Sequence, residues 1–341
     1  MQYSTFAAID IGSYDVILEI FEISKKQGIR SVDKICHRME LGKDTYTLGK
    51  IRPEMEEELC RVLADFVRIM EGYRVDDYRA TASSAISEAS NSLYVLGKIH
   101  QLTGLSVTVL SNSEQRFLSY KALAAMEDNF NKIIEKGTAI LDLDGGSFQI
   151  SLFDKDALVT TQNIRMGSLR IRERLAGIQS ETEHYEEMVE ELIWNEVSSF
   201  KKMYLKDRKI ENIMLIGDVF TDSVYQNIEE KTTKIISREN FNTWYEKIIR
   251  QSPMELAVKL GIPLENASLM YPSAVIYKCL IDMMGAEHIW IPGVHMTRGI
   301  AYEYAEQMKL LKGGHNFKKE ILIAKKNIGK RYAVNRPHVQ N

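Results

Sequence analysis

The chain has 341 residues, 45% hydrophobic and 27% charged, with a formal net charge of −3. This length suits two or three domains that each bury a core, and the composition is that of a globular protein. The charge balance gives no general attraction for nucleic acid or an anionic membrane, so a polyanionic ligand must be attracted locally.

The first element is an apolar strand, Phe6-Ala-Ala-Ile-Asp-Ile11, which carries Asp10 and breaks into Gly12-Ser13-Tyr14-Asp15. Val16 to Ile23 reads as a returning strand and Ile29 to Glu40 as a third, so the tight turn predicts a hairpin. Pro53 to Gly72 predicts a helix, with Pro at its start, Glu54, Glu56, Glu57 and Glu58 in the first turn, and Leu59, Leu63, Phe66 and Met70 at helical spacing. A strand at Tyr78–Ala82, a helix over Ser83–Thr103, a strand at Ser106–Leu110 and a helix over Ser113–Met126 capped by Ser113 complete the first half near Glu135.

The plan then restarts. Thr138-Ala-Ile-Leu-Asp-Leu-Asp-Gly-Gly-Ser147 is again an apolar strand with a late aspartate, Asp142, and a Gly-Ser break, followed by strands at Phe148–Phe153 and Ala157–Arg165. A buried strand that ends in Asp brings a carboxylate to the mouth of a cleft, and the turn beyond it can offer N–H groups to an anion. Two copies predict duplicated α/β domains of the actin-like ATPase (ribonuclease H-like) class with an interdomain cleft. The boundaries read 1–135 for the first domain, 136–312 for the second and 313–341 for a helical tail. Asn212-Ile-Met-Leu-Ile-Gly217 predicts a further strand, but its loop continues Asp218-Val-Phe220, an acid and two bulky residues in place of a nucleotide-accepting glycine loop.

Five segments in order resemble the exopolyphosphatase and guanosine pentaphosphate phosphohydrolase (Ppx/GppA) family. Ala8-Ile-Asp-Ile-Gly-Ser13 is similar to its AIDxGSNS loop, Ala82 to Asn91 to its ATxAxRxAxN segment, and Leu110 to Tyr120 to its xSGxEEAxLxY helix start. Leu141 to Gln149 stands where the family has IDIGGGSTE, and Met166 to Glu173 is similar to LGxVRLxE. Tyr271 to Ile276 and Gly293 to Ala301 resemble two later family segments, and Phe317 to Gln340 resembles the start of the HD-like third domain of longer members.

The resemblance implies hydrolysis of a terminal phosphoanhydride, with polyphosphate or a guanine nucleotide of the (p)ppGpp type as ligand and Mg²⁺ as cofactor. It implies phosphate binding by Gly12, Ser13, Tyr14, Gly145, Gly146, Ser147, Arg170 and Arg298, and metal positioning by Asp10 and Asp142. The family's catalytic glutamate falls on Gln115, with Glu114 beside it, and the glutamate of its second loop falls on Gln149. With Asp142, these are the candidate catalytic positions. An amide can align water but cannot take its proton at neutral pH.

Tyr14, Asp15 and Asp144 further depart from the family loops, and the helix arginine of the second segment falls on Ser87. Impaired or altered phosphatase activity is therefore expected. A non-catalytic relative that binds a phosphorylated ligand or a protein through the cleft is the alternative, and an actin-like sugar or acetate kinase ranks last. His37 and His295 are lone histidines without ligand spacing, and Lys201 to Lys209 reads as a solvated helix end. Cys36, Cys60 and Cys279 read as reduced thiols, and with neither a signal peptide nor a membrane span in view the expected location is the cytoplasm. Homodimerisation is left open.

Overall fold

The computed structural model describes residues 3–126, 130–155, 157–176, 185–205, 208–227 and 235–311. The expected helical tail lies outside these residues.

In chain order the elements are β1 (Ser4–Ile11), β2 (Asp15–Ser24), β3 (Gly28–Arg38), α1 (Leu41–Leu48), α2 (Pro53–Gly72), β4 (Asp77–Ala82), α3 (Ser84–Ser87), α4 (Ser92–Thr103), β5 (Val107–Val109), α5 (Asn112–Met126) and α6 (Phe130–Ile134). They continue with β6 (Thr138–Leu143), β7 (Phe148–Asp154), β8 (Ala157–Ile164), α7 (Ser168–Leu175), α8 (Tyr185–Phe200), a π turn over Lys201–Leu205, β9 (Asn212–Ile216), α9 (Val219–Asn227), β10 (Ile235–Ser237), α10 (Arg238–Ile249), α11 (Pro253–Leu260), α12 (Leu264–Met284), β11 (His288–Trp290) and α13 (Met296–Gln307).

Two sheets share one design. The first has the order β3-β2-β1-β4-β5 and the second β10-β11-β9-β6-β7-β8. In each, the Asp-bearing strand is central, with an antiparallel meander on one side (β1-β2-β3; β6-β7-β8) and parallel strands on the other (β4-β5; β9-β11), the second sheet adding β10 antiparallel at its edge. Central strands are buried on both faces, which is why Phe6 to Ile9 and Ala139 to Leu141 are nearly continuous apolar runs. The duplicated α/β plan expected from the repeated Asp and Gly-Ser segments is therefore present.

α5 and α13 tie the sheets together. Leu118 of α5 packs with Phe6, Ala8, Ile300 and Ala301, whereas Leu123 one turn on packs with Ile140, Phe153 and Met214 of the second sheet. α13 lies close enough to α5 that a Cβ on Gly299 would overlap the Leu118 carbonyl. The Tyr304 ring stacks on Phe6 with centroids 4.1 Å apart.

Three local expectations are corrected. The stretch Leu41–Leu48, unassigned in the sequence reading, is α1, closed by Gly49 at φ 72°. The helix expected over Ser83–Thr103 is two helices, because Asn91 clamps the Ile51 backbone: its Oδ1 accepts from Ile51 N (3.0 Å) and its Nδ2 donates to Ile51 O (2.8 Å). A short polar side chain that bonds distant backbone competes with the helix ladder at that point. α5 is capped by Ser111, not Ser113: Glu114 N donates to Ser111 Oγ (3.3 Å), while Ser111 N donates to Glu114 Oε2 (2.8 Å). This is a reciprocal capping box.

Candidate functional site

The two Asp-bearing strands end at the same cavity, of about 310 Å³, lined by Asp10, Gly12, Gln115, Asp142, Asp144, Gly145, Ser147 and Gln149 among others. Backbone register sets most of this. Asp142 is paired with Gln149 across β6-β7 and with Ile216 across β6-β9, so an amide, a carboxylate and the start of the Gly217-Asp218 loop stand side by side at one sheet edge. The first sheet supplies Asp10, whose register partner on β4 is Thr81.

The candidate residues divide into two groups. Asp10, Gly12, Tyr14, Gln115, Asp142, Gly145, Ser147 and Gln149 line the cavity. Ser13, Gly146, Arg170, Arg298 and Glu114 do not. Ser13 is fully buried, its Oγ 2.6 Å from Tyr46 Oη and 3.3 Å from Ser84 Oγ. A Cβ on Gly146 would overlap that same Tyr46 hydroxyl, so Tyr46 of α1 fits between the two turns. Arg170 lies over the Tyr46 ring at 3.8 Å, donates from Nε to Gly146 O (2.9 Å) and pairs with Glu88 (3.0 Å). It supports the back of the second turn. Arg298 lies 4.0 Å from the buried Glu19, and Glu114 is an exposed cap of α5.

Tyr14 is turned away from the space between the turns. Its ring packs with the second sheet's core, and its hydroxyl donates to Asn266 Oδ1 (2.6 Å). Arg172 makes a second cross-link, donating to both Glu40 oxygens at 2.8 Å. Arg116 donates to Thr161 Oγ1 (2.6 Å) and Ser113 Oγ (3.2 Å), and His37 lies outside the cavity, 3.3 Å from Glu58. The Lys201–Leu205 part of the basic run is the π turn.

Carboxylates dominate the cavity wall. Asp10, Asp15, Asp142, Asp144, Asp218 and Asp222 line it, against Lys34, Arg38 and His295. Arg38 is drawn to Asp15 (3.2 Å) and His295 lies 3.5 Å from Asp222. Each acid keeps an edge toward the cavity, while surrounding protein strips most of its water. Desolvation first, then the charges of Asp15 and Asp144, raise Asp10 to about 8. Desolvation raises Asp144 to about 7, opposed by the Gly145 N–H, and raises Asp142 to about 6, opposed by the Ser119 hydroxyl at 2.7 Å. Asp218 is raised to about 7, again mainly by desolvation. Cys36 also lines the wall; although its residue is exposed, loss of water around the sulfur and the charge of Asp15 push the thiol up, so it stays protonated.

These shifts set a pH dependence. The folded chain holds protons on Asp10, Asp144 and Asp218 that the unfolded chain, with carboxyls near 3.8, has released, so stability falls as pH rises toward about 8. His295, lowered by burial from 6.5, acts in the opposite sense only below that value. Melting of the protein in chelator is expected to shift down between about pH 6.5 and about pH 8, and a divalent cation should flatten that slope. Calorimetric scans in both conditions check this.

The donor set suits a hard, oxygen-preferring cation such as Mg²⁺: carboxylates from two sheets converge on one cavity and raise one another's proton affinity. Among the described residues no three His, Cys, Asp or Glu side chains form a ready-made metal cage. Mg²⁺ is commonly held by one or two carboxylates together with water and substrate phosphates, and Asp10 and Asp142 are the strand-end carboxylates of this cavity that would hold it.

Sequence reasoning missed Tyr46, Ser119 and Ser83, and discounted Asp218 and His295. For Tyr46 the signal was available: Gly49 followed by Pro53 marks a helix stop, with Leu41 and Thr45 at helical spacing before it. Ser119 and Ser83 carried no local signal, because tertiary packing alone brings them to the cavity.

Comparison with known proteins agrees with the geometry. Residues 19–308 match the model of the Ppx/GppA phosphatase family. The sequence is 21% identical over 310 residues to a bifunctional 3-dehydroquinate synthase/phosphatase of Fusobacterium nucleatum, covering 83% of this chain and 44% of that protein. It is 25% identical over 144 residues to exopolyphosphatase 1 of Mycobacterium leprae, covering 42% of this chain and 41% of that one. The chain thus spans less than half the length of these curated relatives.

Among solved structures, an exopolyphosphatase from Cytophaga hutchinsonii aligns with a TM-score of 0.79 at 18% identity, over 92% of this chain and 100% of that one. The Ppx/GppA member from Aquifex aeolicus aligns at 0.71 and 18%, over 90% and 99%. At these identities the structural likeness speaks for the fold, which is the actin-like α/β duplication. No helix among the described residues is long and apolar enough to cross a membrane. With the ordered motifs, the duplicated fold and a family match over most of its length, the chain belongs to the Ppx/GppA phosphatase family.

Proposed function

We propose that the protein is a slow, divalent-cation-dependent phosphatase acting on a terminal phosphoanhydride, in a short polyphosphate or a guanosine polyphosphate. The observation that carries this reading is the convergence of Asp10, Gly12, Asp142, Gly145 and Ser147 from two equivalent strand ends on one cavity. A bound Mg²⁺ would offset charge on the transferring phosphoryl group. The chain's own part is positioning. The Gly12 and Gly145 N–H groups are held by Asp15 O (2.8 Å) and Asp144 Oδ1 (2.6 Å), so a phosphate oxygen would have to displace the Asp144 carboxylate or use the other N–H groups of the turns. The Gln115 amide, whose Nε2 donates to Leu110 O (3.3 Å), is placed to align a water.

Slow turnover follows from two features. Gln115 cannot deprotonate water, and without a cation the acids that are ionised at neutral pH, Asp142 foremost, oppose a polyanion, each pair of unit charges about 4 Å apart by roughly 4 kcal/mol at an effective dielectric of about 20. A second reading, a ligand-binding relative without turnover, is favoured by Tyr46, whose hydroxyl already engages Ser13 and fits against Gly146. Phosphate release from tripolyphosphate with enzyme in excess over substrate separates the two. Release that requires Mg²⁺ supports the phosphatase, and none after prolonged incubation with tripolyphosphate and guanosine tetraphosphate removes it.

A further inference from the structure

Gln115 leaves the reaction without an evident acceptor for the proton of the attacking water, and another acid lining the same cavity offers one. Asp218 lies two residues beyond Ile216, the register partner of Asp142. The chain turns there at Gly217, with φ of 103° and so tight an approach that a Cβ would lie 2.6 Å from Asp142 Oδ1. Only glycine suits both the conformation and the contact. The turn sets Asp218 at the cavity beside the edge that carries Asp142 and Gln149.

As a cap of α9, Asp218 needs one oxygen. Oδ1 supplies it, accepting from Thr221 N (3.1 Å) and from the Tyr277 hydroxyl (3.3 Å). Oδ2 is buried and makes no hydrogen bond of normal geometry; the buried Ser273 hydroxyl, which also lacks a partner of normal geometry, lies near enough to this carboxylate to favour its charged form. Two further cavity-lining groups share that condition: Gln149 Oε1 and Ser83 Oγ are unpartnered, in side chains only 5% and 7% exposed. Buried polar atoms are rarely left unsatisfied, so a cluster around one cavity marks where water or ligand oxygens complete the bonding.

Building on the phosphatase reading above, we propose that Asp218 is the general base of this site, taking the place of the glutamate that the family carries where this chain has Gln115. The water oxygen bonds to the terminal phosphorus, and the anhydride P–O bond breaks with its electron pair on the departing phosphate. The proton of the water passes to Asp218 Oδ2 and from there to solvent. The desolvated setting of Asp218 gives its carboxylate a proton affinity suited to work near neutral pH.

The test is tripolyphosphate hydrolysis by Asp218→Asn. Asn caps a helix about as well as Asp, so a residue that serves only α9 predicts unchanged activity and melting. The proposal predicts a fall in kcat of at least about 100-fold with KM and melting temperature near those of the wild type. It also predicts that adding Gln115→Glu to that variant restores turnover. Asp218→Ser, which also caps, should behave as Asn does. Wild-type kcat in Asp218→Asn overturns this assignment while leaving the phosphatase reading intact, as does a loss that Gln115→Glu cannot restore. Absence of release from wild type and Gln115→Glu alike overturns both.

Discussion

Asp142→Asn is expected to abolish most Mg²⁺-dependent phosphate release while leaving the metal-free protein as stable as the wild type or more so. Asp142 is central to the second sheet edge, held by the Ser119 hydroxyl at 2.7 Å and flanked in register by Gln149. Asn keeps the volume and an acceptor for Ser119, so packing survives. What disappears is a negative donor for the cation, which should cost roughly 10²–10³-fold in rate, the size of loss seen when one preorganised electrostatic group is removed from a transition-state site. The stability arm carries the opposite sign, because burial raises Asp142 to about 6 and its charge is therefore a burden on the folded state at neutral pH. A variant that loses rate and melting temperature together would point to a structural role for this carboxylate.

Gln115→Glu is expected to raise phosphate release by roughly 10²-fold in the Asp218→Asn background, the lower end of what a positioned base contributes, and by less in the wild type, where Asp218 already serves. The side chain is only 8% exposed and lines the cavity with Asp10 and Asp142, so the new carboxylate would face the space proposed for the phosphate chain. Its arrival also adds charge to an acid-rich wall and removes the bond to Leu110 O, so the gain should appear only with Mg²⁺. Single-turnover rates with and without Mg²⁺ measure it. No gain would mean that the missing carboxylate is not what limits this site.

The duplication was legible in the sequence because strand burial and turn chemistry leave local marks. Phe6 to Ile11 and Thr138 to Leu143 are apolar runs with one aspartate, and both became the central strands. Asp10, Gln115, Asp142 and Gln149 reached the cavity because strand register and helix start fix their places. Arg170 and Ser13 misled for a physical reason. Sequence gives a residue's position on its element but not the partner that claims it, and here Glu88 and Tyr46 claim them. Tyr46 was missed because the helix-stop signal at Gly49 and Pro53 marks the end of α1 but not the packing that carries the Tyr46 hydroxyl to Ser13. Asp218 looked like a spoiled nucleotide loop, and only the pairing of its neighbour Ile216 with Asp142 shows that the acid belongs to the same edge.

The central claim is that these two turns still bind a phosphate chain, and that the acid-lined cavity admits it only together with a divalent cation. Titration calorimetry of methylene-bridged tripolyphosphate, which resists hydrolysis, tests this without any need for turnover. Binding tighter by at least about 10-fold in Mg²⁺ than in chelator, equivalent to about 1.4 kcal/mol, is the expected result. Binding that is equal or tighter in chelator, or absent in both, would contradict it.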